Sequence, residues 1–194
     1  MQLHIANATI HIGPPANNME QFAFVRCEPE VQPILTPPAM GEYWPGQGGR
    51  FVCTMPALLG LPARHLIVGE GEADDLTYGP DIDVPGAASH IDGAANTAAL
   101  LATGQDHPAA TWASQYTADG HTDFHLGSRL DMLMAYICTP QLFKKSGWYR
   151  TSTQLSRNSA IAQYFEGGTS YWVYKYDEFR VRPVRVIPLQ NFNA

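Results

Sequence analysis

The chain is short of charge: only 15% of its 194 residues are Asp, Glu, Lys or Arg. It is also short of cysteine, with three, Cys27, Cys53 and Cys138, at long irregular spacing and without a CxxC pair. That excludes a disulfide framework and a zinc ribbon, which need paired, closely spaced thiols. No run approaches the roughly 18 apolar residues of a membrane-spanning helix, so no membrane insertion is expected. The N-terminal "MQLHIANATIHIG" lacks the basic start and apolar run of a secretory signal, and the expectation is synthesis in a cytosol without a signal peptide. GxSxG, HExxH and GxxxxGK[ST] are missing as well, and with them the short signatures of serine hydrolases, zinc proteases and P-loop enzymes.

What is present is an ordinary globular composition, 45% apolar and 11% aromatic. A chain of this length can bury one sizeable core, and a single domain with an appended arm is expected. Proline and glycine together supply 32 residues, so loops are plentiful. The net charge of −6 is unevenly spread: residues 1–143 carry 15 acidic against 4 basic side chains, and residues 144–194 carry 3 against 8. The basic end is too sparse, and the remainder too acidic, to follow a phosphate backbone, so no nucleic-acid partner is expected.

Hydrophobic patterning divides the chain. "LHIANATIHI" alternates as one strand with a slip near Asn7, offering Leu3, Ile5, Ile10 and Ile12 for burial. Five prolines from Pro29 to Pro45, then glycines 46, 48 and 49, have the composition of an extended connector. A boundary falls near Thr36: residues 1–36 form an arm for attachment or oligomerisation, too small for a core of its own, and residues 37–194 form the domain. "GRFVCTM" and "RHLIVGEGE" read as strands around a "PALLGLPA" turn. "DDLTYGPDIDVPGA" reads as a solvated, turn-rich loop, and its Asp75, Asp81 and Asp83 do not fit the spacing of an EF-hand.

Three helices are expected next. One is capped by Asp92 and stopped by Gly104, one has Pro108 in its first turn, and one starts at Ser128 with Leu130, Leu133, Met134 and Ile137 as its apolar face. Period two returns in "IAQYF", "SYWVYKY" and "FRVRPVRVI", the first two joined through "EGG". In the third the parity of the apolar residues switches at Pro183, the sign of a bulge or an edge. The order strand, linker, strands, helices, strands gives an α+β fold rather than a parallel βαβ one.

The densest group of ligand-type side chains is "DGHTDFH", Asp119 to His125, with Asp131 behind it. A metal site here would need His121, Asp123 and His125 to converge, yet a His-x3-His pair places both rings on one face only in a helix, and none is expected. Ser128 and Asp131 fit a capping box instead: the hydroxyl caps the helix, the carboxylate three residues on returns to the cap, and its charge sits at the positive helix end. No metal and no cofactor are expected.

The segments "PPAMGEYWPGQGG", "ANTAALLATG", "DHPAATWA", "DGHTDFHLGSRLDML", "GWYRTSTQLSRNSAIAQYFEGG" and "KYDEFRVRPVR" together resemble the Lcl C-terminal domain family, found in collagen-like bacterial adhesins and in many phage virion proteins. The similarity covers residues 38–187. The family's turn-to-helix motif, Asp-Trp-x-Leu-Pro-Ser/Thr-x-x-Glu-Leu, is met by Asp123, Leu126, Ser128 and Arg129. Phe124 stands for its Trp, Gly127 for its Pro, Asp131 for its Glu and Met132 for its Leu. The resemblance implies a C-type-lectin-like domain of mixed, mostly antiparallel strands with about three helices, and a structural Asp123 that binds loop backbone.

From Gly147 to Tyr176 the sequence holds Trp148, Tyr149, Tyr164, Tyr171, Trp172, Tyr174 and Tyr176 among Ser, Thr, Asn and Arg, the make-up of a binding surface. The candidates for receptor contact are Tyr149, Arg150, Ser156, Arg157, Asn158, Tyr164, Tyr171 and Tyr174. On "SYWVYKY", Tyr171, Val173 and Lys175 face one way and Trp172, Tyr174 and Tyr176 the other, with the Trp172 set expected to be the more buried. The lectin-like phage major tropism determinant carries its variable receptor-contacting residues in the corresponding region, an analogy of fold and not of sequence.

The reading that the resemblance implies is a non-enzymatic virion surface protein of a bacteriophage that binds a receptor and attaches the tail to the host. The arm would join other virion subunits and the lectin-like head a host surface protein or glycan, in a homo-oligomer, most simply a trimer. The alternative is a capsid or tail decoration protein that cements its neighbours. A metal-dependent enzyme is a third reading, and it requires an ion between the two histidines.

Overall fold

The computed structural model describes residues 36–189 with their side chains and, before them, the backbone of residues 2–5 and 8–11. The chain divides into two compact units, Met1–Thr36 and Pro37–Ala194. In the first, β1 (Gln2–Ile5) pairs antiparallel with β2 (Ala8–His11), Gln2 opposite His11 and Ile5 opposite Ala8. The alternation expected of one strand is therefore two strands, folded back where the period slips. The burial of Leu3, Ile5, Ile10 and Ile12 and the connector up to residue 35 lie outside the described residues.

The second unit is α+β, with three α-helices and two five-stranded, mostly antiparallel sheets. One sheet runs in the order β3 (Tyr43–Trp44), β4 (Gly49–Met55), β5 (Arg64–Val68), β12 (Pro183–Pro188), β7 (His125–Leu126). The other runs β10 (Ser170–Tyr174), β9 (Ser159–Tyr164), β8 (Trp148–Gln154), β11 (Phe179–Val181), β6 (Ala73–Leu76), and its β8–β11 pair is parallel. The parity switch at Pro183 is neither a bulge nor an edge: β11 belongs to one sheet and β12 to the other. The chain crosses between them at Arg182, whose guanidinium donates to the carbonyls of Gly69 and Leu142.

Local chemistry sets the helix starts. Asp92 caps α1 (Gly93–Ala102) by accepting the N–H of Ala95 at 2.9 Å, and Gly104 beyond its end takes φ +67°. Pro108 opens α2 (Pro108–Gln115), where its missing N–H is no loss. Ser128 starts α3 (Arg129–Cys138) in a full capping box: its N–H donates to Asp131 Oδ2 at 2.8 Å, and the N–H of Asp131 donates to the Ser128 hydroxyl at 3.2 Å.

The buried face of α3 is not the expected one. Asp131, Met132 and Ala135 point inward, whereas Leu130, Leu133 and Met134 are half-buried and Ile137 is 60% exposed. The box fixes the phase of the helix: Asp131 must reach the buried Ser128, and it carries Met132 and Ala135 inward with it. These two meet Val52, Leu66 and Val184 of one sheet and Tyr149 of the other, so a single core joins both. β3, β6 and β7 are too short to show a period, and β8 is covered on both faces, so none of the four stands out in the sequence. No described helix is long and apolar enough to cross a membrane.

Candidate functional site

β10 is an edge strand. One side pairs with β9, Trp172 opposite Ile161 and Tyr174 opposite Ser159, and no described strand pairs with the other. Tyr, Trp and Val suit a pleated surface, but here the large rings are left uncovered. Tyr171 is 53% exposed, Trp172 41%, Tyr174 39% and Tyr176 61%. Tyr171 and Trp172 have ring centroids 5.6 Å apart, Trp172 meets Tyr174 edge-on at 5.5 Å, and Tyr174 stacks on Tyr176 at 5.0 Å. The result is a continuous row of four rings, and aromatic surface gathered in this way marks a place of contact rather than a scatter of exposed side chains.

The Trp172 set, expected to be the more buried, is therefore exposed throughout. The member of this segment that is fully buried is Lys175, from the opposite set. Its Nζ donates to Ile82 O at 2.6 Å and to Gln154 Oε1 at 2.7 Å and lies 5.2 Å from the centroid of the Tyr78 ring. Burial draws its pKa below the ordinary lysine value. These acceptors hold the turn that follows β10 from beneath, and Trp172, Tyr174 and Tyr176 on the other parity face water, as does Tyr171 although it shares the parity of Lys175.

Two residues expected at the contact surface lie inside. Tyr149 and Arg150 are both fully buried, because β8 lies inside its sheet and is covered on both faces. Tyr149 packs edge-on against Phe143 at 5.2 Å, and its hydroxyl donates to Glu72 Oε2 at 2.7 Å. Arg150 acts from beneath the aromatic row. Its guanidinium donates to Tyr174 O at 3.3 Å and to Asp177 O, and lies 4.7 Å from the centroid of the Phe179 ring. Burial pushes its pKa down to about 10, so it stays charged at neutral pH. Arg150 thus grips the backbone of the 174–177 turn, and Lys175 anchors that turn to the loop at Ile82.

Ser156, Arg157 and Asn158 are exposed in the turn between β8 and β9, where the N–H groups of Leu155 and Ser156 both donate to Ser159 O. Lys175 donates its backbone N–H to Asn158 O at 3.0 Å, which places this turn beside the end of the row. Arg157 Nε donates to Asp81 O at 2.8 Å. Ser156, Arg157, Asn158 and Tyr174 therefore gather at one end of the sheet, with Tyr171 further along β10. Tyr164 sits near the opposite end of β9, half-buried against Trp148 at 5.2 Å, and is not part of the group. Trp172, Tyr176 and the anchoring Lys175 were missing from the expected set. A lone lysine within an aromatic run was the available signal for the anchor.

The "DGHTDFH" stretch begins as a tight turn, with Asp119 at φ +50°, Gly120 at φ +80°, and Ala118 and His121 paired across it. Asp119 Oδ2 accepts from Gly46 N at 2.9 Å, Gly48 N at 3.0 Å and the Tyr43 hydroxyl at 2.9 Å. The Tyr43 hydrogen bond, followed by that from Gly48, holds the Asp119 pKa below the ordinary value. The carboxylate that binds loop backbone is thus Asp119 and not Asp123. Asp123 Oδ1 accepts from Arg185 Nε at 2.5 Å, tying the stretch to the final "VRPVR". His121 Nε2 lies 2.9 Å from Gly46 O and its Nδ1 4.0 Å from Asp123 Oδ1, whereas His125 is buried with Nδ1 3.3 Å from the Asp123 carbonyl oxygen, so the two rings meet different groups of Asp123. Among the described residues no three His, Cys, Asp or Glu side chains group as a metal site. No family profile and no curated protein matches the chain.

Proposed function

We propose that the protein is a non-enzymatic bacteriophage virion surface protein whose C-type-lectin-like domain, of the Lcl C-terminal kind, binds a host surface protein or glycan. The observation that carries this reading is the row Tyr171, Trp172, Tyr174 and Tyr176, exposed along the edge strand β10 and the turn that follows it, a turn held from below by Arg150 and Lys175. Rings held in place lose little entropy on binding, and the flanking Ser156, Arg157 and Asn158 supply adaptable hydrogen bonds. The mixed sheets and the Ser128–Asp131 cap agree with the resemblance. Particles carrying Trp172→Ala, Tyr174→Ala and Tyr176→Ala together test it: adsorption to host cells falls by at least about tenfold while assembly is unchanged, and full adsorption would refute the receptor role.

A second reading, a decoration protein that cements neighbouring subunits, draws on Leu59. It stands 84% exposed at the tip of a turn closed by Leu58 and Leu61. Particles lacking such a protein would lose resistance to heat and still adsorb.

A further inference from the structure

The edge of a sheet presents backbone N–H and C=O groups that the sheet itself does not use, and folds blunt such edges with short strands, charges or bulges. Among the described residues the second unit has four sheet edges, and three are blunted. β3 and β7, the margins of one sheet, have two residues each. β6, a margin of the other, reads "ADDL": it carries Asp74 and Asp75, Asp75 takes φ +58°, and the register against β11 shifts between Phe179 and Val181. β10, the fourth edge, has none of these protections. Its five residues, "SYWVY", include no charge and no proline and pair with β9 in one unbroken register from Ser170 to Tyr174.

The ladder decides which groups are open. Tyr164 donates its N–H to Thr169 O at 2.9 Å and Lys175 donates its N–H to Asn158 O at 3.0 Å, so the odd-numbered residues from 169 to 175 turn their backbone toward β9. Ser170, Trp172 and Tyr174 turn theirs outward. Tyr174 is already engaged: its N–H donates to Asp177 Oδ2 at 2.9 Å, and its carbonyl accepts the Asp177 N–H at 3.2 Å. Ser170 and Trp172 keep two donors and two acceptors that no described strand meets. Rings flank this edge on both faces, Tyr171 on one and Trp172 and Tyr174 on the other, and each is at least 39% exposed. A sugar ring laid on aromatic surface covers one face only. An added strand sends alternate side chains to both faces, where they meet the rings as cross-strand neighbours.

We infer that the partner is a protein, an extended segment of which pairs with β10 as a sixth strand of this sheet, bonded to the backbone of Ser170 and Trp172 and held by rings on either face. The inference rests on the receptor reading and narrows its ligand, from a host surface protein or glycan to an extended segment of a host surface protein. The backbone bonds are blind to the sequence of that segment, and the rings select apolar or aromatic side chains along it.

Ser170→Pro tests the pairing. Purified full chain is incubated with host cells before particles are added, and the concentration that halves adsorption is read. The substitution removes an outward N–H and keeps every ring, a change that an edge strand tolerates on its open side. Ser170→Ala controls for the lost hydroxyl, which donates to Gln163 Oε1. Ser170→Ala blocks as the unaltered chain does, and Ser170→Pro needs at least about tenfold more protein. Replacing the Trp172 amide by an ester, through the α-hydroxy analogue of tryptophan, removes the other outward donor without altering a side chain. It weakens blocking by at least about fivefold and decides the matter should the proline variant be unfolded. Proteinase K treatment of the cells abolishes adsorption. Equal blocking by folded Ser170→Pro and Ser170→Ala, or by the ester and the unaltered chain, overturns strand pairing and leaves the receptor role standing; adsorption that survives the protease identifies a glycan and does the same. An unaltered chain that fails to block overturns both.

Discussion

Lys175 takes a positive charge out of water from the middle of an aromatic segment, and the exposure of its neighbours follows from where that charge goes. Lys175→Met leaves Ile82 O without its donor, and we expect a loss of about 1–3 kcal/mol of stability in urea unfolding; an unchanged midpoint would show that the anchor is slack. A second group of buried side chains sets the acid response. Burial lowers the pKa values of His65, His107 and His125. The unfolded chain therefore binds protons first as pH falls through about 6.5. The stability these rings contribute is present above that pH and lost below it. Asp131, whose pKa burial raises, works in the opposite sense: its contribution is present at low pH and lost as pH rises through its raised value. We expect the unfolding free energy to decline from about pH 7.5 to about pH 5.5, and His107→Gln to flatten the decline. A decline left equally steep in the His107→Gln protein would contradict the histidine account.

At the scale of elements, the parts of the sequence that carry their own chemistry were the legible ones. Asp92, Pro108 and Ser128 each start a helix through a bond or a missing donor within a few residues, and each helix begins where the sequence places it. The face of α3 was not legible, because its phase is set by the Ser128–Asp131 box and not by the leucine stripe. Tyr149 and Arg150 were misplaced for a related reason: only the tertiary fold shows that β8 has neighbours on both sides. Ser128→Ala removes the cap and should cost about 1–2 kcal/mol, read by thermal or urea unfolding. The turn at Leu59 gives a change of opposite sign. Leu59 holds φ +48° before Gly60 at φ +88°, a pair of positive angles that favours Asn-Gly, and its side chain is almost fully exposed. Leu59→Asn should raise stability by about 0.5–1 kcal/mol, since αL strain is relieved and no packing is lost; a lower unfolding midpoint would mean that the leucine packs.

At the scale of the molecule, both sheets meet in one core, and β10 forms an outer edge of one of them. The α+β class was readable from the order of periodicities, but the crossing of the chain between sheets at Arg182 appeared in the sequence only as a change of parity. That arrangement leaves the rings of β10 free on one margin and anchors them through Arg150 and Lys175 on the other. The central claim is that this margin meets the host. The most direct test is competition: purified protein, incubated with host cells before particles are added, should reduce adsorption in a saturable manner. The Trp172→Ala, Tyr174→Ala, Tyr176→Ala protein, shown to be folded, should not. Equal blocking by both proteins, or by neither, would contradict the claim.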